Sequence, residues 1–166
     1  MSNALAGPGA PRPFPGGDAR PEGPDRPGQP VFTRTILVHW GDCDPARIVF
    51  HPNFIRWMDD GFAEMALARG IDFVALQRED PQFRGAPLVD VRCGFRAPAR
   101  FGEVLRHEVA APALSTGRSF RVAHRFLLPD GALAAEGEQV RIWGREVDGA
   151  LRAVAMPQAI AAAFGA

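Results

Sequence analysis

The chain has 166 residues with 19 arginines, no lysine and 19 acidic residues, so its formal net charge is zero. That balance excludes a partner held by bulk phosphate neutralisation, and no nucleic acid is expected. An apolar fraction of 46% with 23% charged residues is globular rather than disordered. Cys43 and Cys93 are too few for a disulfide framework, and there is no CxxC pair or Cys/His cluster for zinc, so no metal is expected. Free thiols fit a reducing compartment, taken here as the cytoplasm. The apolar runs are too short for a membrane span, and no basic region followed by an apolar core suggests a secretory signal.

Residues 1–30 hold 8 of the 16 prolines and 6 of the 18 glycines, with no apolar period. Such a segment cannot offset its chain entropy by burial and is expected to be a disordered tail ahead of a single domain over 31–166. VFTRTILVHW (31–40), rich in β-branched and aromatic residues, reads as a strand, and GDCDPARIVFHP (41–52) as a loop. Phe54, Trp57, Met58, Phe62, Met65 and Ala66 then recur at helical spacing over about four turns. Asn53 is the expected N-cap of this helix and Gly70 its stop. Gly61 inside it costs helix stability and hints at close packing. A short helix near Phe73–Gln77 follows. Four runs bounded by Gly, Pro or Asp then read as consecutive antiparallel strands: 86–99, 103–114, 118–128 and 132–146. Pro129-Asp130-Gly131 marks a hairpin between the last two, and a short strand at 151–155 and a small helix from Pro157 close the chain. The fold class is α+β, one long helix packed on a curved sheet.

The chemistry concentrates at Asp42-Cys43-Asp44 through His51, in the loop that enters the long helix. A helix N-terminus offers free N–H groups and positive potential, a place to hold a developing oxyanion, and a carboxylate beside it can act as nucleophile or as base for water. The same Asp and Pro residues also serve turns and caps, so spacing alone leaves both roles open. Cys43 is read as a small buried thiol rather than a nucleophile, because Asp42 and Asp44 disfavour a thiolate. His39, His107 and His124 fall on strands and are read as structural.

The stretch GDCDPARIVFHPNFIRWMDD resembles the signature of the 4-hydroxybenzoyl-CoA thioesterases of the hot-dog superfamily. That pattern runs near Gly-Asp-Cys-Asp-Pro-Ala-Gly-Ile-Val, an aromatic residue, Tyr-Pro-Asn, then Arg-Trp-Leu-Asp. LRAVAMP at 151–157 and, more weakly, RSF at 118–120 extend the likeness over about residues 33–157. The resemblance implies a hot-dog fold, a long helix wrapped by a curved antiparallel sheet, assembled as a homodimer or homotetramer with active sites between subunits. It implies hydrolysis of an aryl- or short acyl-CoA thioester, 4-hydroxybenzoyl-CoA-like substrates favoured, with coenzyme A entering only as part of the substrate. By the same resemblance Asp44 is the catalytic carboxylate, and backbone N–H around His51 holds the thioester oxygen. Asp59 contacts the acyl ring, with Trp57 and Arg47 along the acyl site, and Arg118 and Arg152 bind the coenzyme A phosphates. Arg47 stands where the pattern has Gly and His51 where it has Tyr. If the first position needs positive φ, Arg47 carries strain of about 1 kcal/mol.

Two rivals remain: a non-catalytic acyl-CoA-binding module, which would have no need of Asp44, and a hot-dog hydratase or dehydratase using an Asp44–His51 pair. The zero net charge also conceals an asymmetry. Residues 42–90 carry nine acids and five arginines, whereas 91–152 carry ten arginines and seven acids, an Arg-rich half suited to phosphates.

Overall fold

The computed structural model describes residues 30–115 and 118–165. The expected tail lies outside the described residues except for Pro30, which opens the first strand.

Strand β1 (Pro30–Leu37) leads through a 3-10 turn at Trp40–Asp42 to helix α1 (Pro52–Ala68) and a shorter helix α2 (Phe73–Glu79). Then come β2 (Leu88–Phe95), β3 (Val104–Ala110), β4 (Ala113–Ser115), β5 (Ser119–Leu127), β6 (Leu133–Val147), β7 (Ala150–Val154) and helix α3 (Gln158–Phe164). The sheet runs β1-β3-β5-β6-β2, all pairs antiparallel, with β4 on β5 and β7 on β6. β2 therefore lies at the edge opposite β1 and pairs with β6, not with β3 as consecutive order suggests. The expected run 103–114 is interrupted where Pro112, which has no N–H for a ladder, separates β3 from β4. The hairpin at Pro129-Asp130-Gly131 is present: Gly131 takes φ 86° and Ala132 N–H donates to Asp130 Oδ1 at 2.9 Å.

Helix α1 is about 25 Å long at 1.5 Å per residue and buries Phe54, Trp57, Met58, Gly61, Phe62, Met65 and Ala66, the stripe its sequence period predicts. Its start differs from expectation. Pro52 takes the first helical position, which suits a residue without N–H, so His51 stands at the N-cap and Asn53 lies inside the helix. The Asn53 side chain instead donates to the Asp42 carbonyl at 2.9 Å, tying the helix to the preceding loop. The far end stops at Gly70 (φ 76°), with Ile71 N–H on the Ala66 carbonyl and Gly70 N–H on the Leu67 carbonyl, both at 2.9 Å, a Schellman closure.

The apolar core under α1 falls into two parts. Phe54, Trp57 and Met58 pack with Ile36, Leu105, Phe126 and Ala135; Phe62, Met65 and Ala66 pack with Val109, Phe120, Val122 and Phe164. Between them runs a polar seam of His107, His124, Gln139 and Arg141, all buried. Gly61 lies over it: a Cβ there would stand 2.2 Å from His107 Cε1. The ring below the helix, not helix propensity, explains this glycine.

Candidate active site

The loop between β1 and α1 is a miniature hairpin. Cys43 and Val49 form an antiparallel bridge, Asp44 N–H donates to the Ile48 carbonyl at 2.9 Å, and Arg47 N–H closes the turn on the Asp44 carbonyl at 2.8 Å. Asp44 caps its own turn, its Oδ1 accepting Ala46 N–H at 2.8 Å, the Asx geometry that Asp-Pro sequences favour. Among the described residues its second oxygen takes no hydrogen bond, and the side chain is half-buried. Arg47 sits at φ 64°, the left-handed position where the resemblance has Gly, and its side chain is exposed.

At the helix entrance Pro52 has no N–H, Asn53 N–H donates to the Phe50 carbonyl at 2.9 Å and Phe54 N–H to the His51 carbonyl at 3.2 Å. The His51 N–H is the entrance amide without an acceptor among the described residues, at the positive end of a helix of 17 residues. The His51 ring is exposed, caps nothing, and makes edge contacts with Phe50 and Phe95 at centroid distances of 5.0 and 6.2 Å. No hydrogen bond joins it to Asp44 among the described residues. Asp42 supports the loop, accepting His39 N–H on Oδ2 at 2.8 Å and Arg56 on Oδ1 at 3.3 Å. Cys43 is half-buried with Sγ 3.9 Å from the His39 carbonyl.

Asp59 lies eight residues beyond His51, about 12 Å along the helix axis, and among the described residues no hydrogen bond or shared cleft joins it to Asp44. Its side chain is 52% exposed and pairs with Arg141, which is 8% exposed. The two line a cleft of about 250 Å³ with Phe62, Ala63, Phe73, Ala86 and Leu88. The Arg141 guanidinium lies 4.3 Å over the Phe62 ring and donates to the Ala86 carbonyl at 2.8 Å. Burial pushes the Arg141 pKa down, and the Asp59 charge and hydrogen bond oppose that.

Trp57 belongs mainly to the core. Its ring turns inward, 3% exposed, against Phe54 at 5.4 Å, because it falls on the buried stripe of α1, and it borders a shallow cleft with Asp42 and Arg56. Arg118, just before β5, and Arg152, on β7, are both exposed. Other arginines of the later strands are engaged: Arg96 with Glu136, Arg106 and Arg125 with Glu108, Arg121 with Glu138, and Arg145 with Asp80. Arg118 and Arg152 have no ion pair among the described residues. Among those residues, too, no group of three or more His, Cys, Asp or Glu side chains could hold a metal ion, and no helix is long and apolar enough to cross a membrane.

Gln139 and Arg141 were not among the expected site residues. Period-two alternation along β6 back from Trp143 puts both on the face that meets α1, where a polar residue is anomalous.

Residues 38–164 match the thioesterase-like superfamily. Over 130 residues the chain is 27% identical to the 4-hydroxybenzoyl-CoA thioesterase of Pseudomonas sp. (strain CBS-3), covering 76% of this chain and 92% of that protein. It is 26% identical over 104 residues to a 1,4-dihydroxy-2-naphthoyl-CoA hydrolase of Prochlorococcus marinus, covering 61% of this chain and 68% of that one. The solved structure of the Pseudomonas enzyme superposes with a TM-score of 0.73 at 26% identity, over 80% of this chain and 97% of its own. A gentisyl-coenzyme A thioesterase superposes at 0.67 with 27% identity, over 81% of this chain and 100% of its own. With a family match spanning most of the chain, a hot-dog architecture and this loop-to-helix junction, the chain belongs to the thioesterase-like superfamily and is a thioester hydrolase of its acyl-CoA class.

Proposed function

We propose that the chain hydrolyses aryl-CoA thioesters whose ring bears a hydroxyl, 4-hydroxybenzoyl-CoA being the type substrate. The observation that carries the reading is the placement, in the loop and turn that enter one helix, of an Asp44 oxygen and the His51 N–H, neither of which has a hydrogen-bond partner among the described residues. The amide accepts the charge that builds on the thioester oxygen. Asp44 supplies the attack in one of two ways. Its carboxylate adds to the carbonyl carbon, the C–S bond breaks with loss of coenzyme A thiolate, and water cleaves the resulting anhydride. Alternatively, Asp44 takes a proton from water, which adds directly. Both give the free acid and coenzyme A. The two relatives above carry names of hydroxylated aryl-CoA substrates, and the cleft at Asp59 is walled by Phe62, Phe73 and Leu88, which favours a flat apolar ring. Arg118 and Arg152 are the proposed phosphate contacts. Because the cleft at Asp59 does not include Asp44, a homodimer joined along the edge strand β2, or a tetramer of such dimers, would complete each site. The free thiols of Cys43 and Cys93 suit the reducing cytoplasm.

Thiol release over aryl-, short- and long-chain acyl-CoAs tests this reading. Asp44→Asn keeps an acceptor for Ala46 N–H, so folding and coenzyme A binding should persist while turnover falls at least about 10³-fold; Asp44→Ala should lose turnover as well. Near-normal rates in both variants refute the role of Asp44. Binding without thiol release would instead make the chain an acyl-CoA-binding module. A hydratase is disfavoured because the His51 ring makes no hydrogen bond with Asp44 among the described residues.

A further inference from the structure

Asp59 is the terminus of a directional hydrogen-bond chain that the hydrolytic step does not require. Arg34 on β1 is fixed by Glu64 and by the Trp57 carbonyl at 3.2 Å, and its Nε lies 3.2 Å from His107 Nδ1. An arginine only donates, so His107 Nδ1 accepts and the ring carries its proton on Nε2. That proton faces His124 Nδ1 at 3.0 Å, which sets His124 in the same tautomer, with its Nε2–H toward Gln139 Oε1 at 3.2 Å. Arg141 Nε donates to the same oxygen at 3.2 Å. Two donors on Oε1 fix the amide, and its NH₂ meets Asp59 Oδ1 at 2.9 Å, where Arg141 Nη2 also lands. Among the described residues Asp59 Oδ2 takes no hydrogen bond.

We propose that Gln139 and Arg141 are positioning residues for acyl-group selection. By gripping one oxygen of Asp59 they aim the other into the cleft of Phe62, Phe73 and Leu88, as an acceptor for a hydroxyl at the distal end of the acyl group. The proposal rests on Asp59 being an acyl contact. A carboxylate held by one donor can rotate about its terminal torsion; one held by two donors on a single oxygen, each immobilised in the core, presents a fixed second oxygen. A fixed acceptor discriminates, because a substrate without the hydroxyl leaves it unsatisfied.

The test compares kcat/KM for 4-hydroxybenzoyl-CoA with that for benzoyl-CoA, as a ratio, in the full chain. Gln139→Glu is isosteric and replaces the donor facing Asp59 with an acceptor; the ratio should fall about tenfold, the scale of one misaligned charged hydrogen bond. Equal losses on both thioesters would make the seam purely structural and overturn the proposal. Asp59→Asn is measured beside it. If the ratio does not move there, the reading of Asp59 itself fails; if it moves there and not in Gln139→Glu, only the positioning role fails. No turnover of either thioester by the unmodified chain overturns the proposed function instead. Should Gln139→Glu not fold, Arg141→Lys reads the same ratio with the charge kept and the fork removed, and a ratio unchanged there also overturns the proposal. The ¹⁵N shifts of the His124 ring in the unmodified protein give a further check, where a proton on Nδ1 would reverse the chain and refute it.

Discussion

Lowering the pH should destabilise the fold through the two seam histidines. The His107 pKa is pushed down to about 2, by burial first and then by the charges of His124 and Arg34. His124 is pushed down to about 3, again chiefly by burial, against which its bond to Gln139 works. Both rings therefore stay neutral in the folded chain through mildly acid pH, whereas in the unfolded chain they titrate near 6.5. Below that value the unfolded state binds two protons that the folded state refuses. The stability is fully present above about pH 7 and is lost as pH falls toward the folded values. Each ring contributes about 1.4 kcal/mol per pH unit below about 6, so between pH 8 and pH 5 the pair removes about 4 kcal/mol. Against the 5–15 kcal/mol typical of a domain that is a large share. Urea unfolding at pH 8, 7, 6 and 5 measures it directly. A change under about 1 kcal/mol would refute the reasoning, since it would require a ring already charged in the fold.

Gly61→Ala should destabilise by about 1–2 kcal/mol in the same unfolding assay. The helix-propensity gain of about 1 kcal/mol is outweighed by overpacking against His107, whose ring cannot retreat because both its nitrogens are bonded; a more stable variant would refute this. Arg47→Gly should stabilise the chain by about 0.5–1 kcal/mol by relieving its φ of 64°, and an unchanged unfolding midpoint would show that the turn carries no such strain.

What was legible in the sequence was what local period and turn chemistry encode. The stripe of α1 reads directly because six apolar residues repeat at helical spacing within 13 positions, and the hairpin at Asp130-Gly131 reads because a turn is specified by adjacent residues. Pairing is different. Nothing local in 88–95 says that β2 joins β6 across the sheet from β1, because that choice is made by the 37 residues between them (96–132) and by the face each strand must bury. The N-cap was missed for a related reason. Asn is a good cap in general, but Pro52 one position earlier fixes the helix start and frees the Asn53 amide for Asp42.

The same division governs the candidate site. The Asp44 loop is contiguous, so its turn, its carboxylate and the helix entrance could be seen together in one stretch, and Arg47 could be recognised as standing where positive φ would be strained. The seam joins residues 34, 59, 107, 124, 139 and 141, drawn from four strands and a helix, and only register assembles them. Arg34 faces His107 directly across β1 and β3, whereas His107 to His124 and His124 to Gln139 are diagonal neighbours. Within its own strand each seam histidine occupies an apolar place: His124 stands between Val122 and Phe126, and His107 between Leu105 and Val109. Isolated polar residues on a core face must find partners, and the partner of each lies on the next strand. Gly61 was a further local sign of what lay beneath, a helix-weakening residue with no turn to make. The physical cost of that glycine is accepted because the helix must approach the His107 ring closely, and a Cβ there would stand 2.2 Å from the ring.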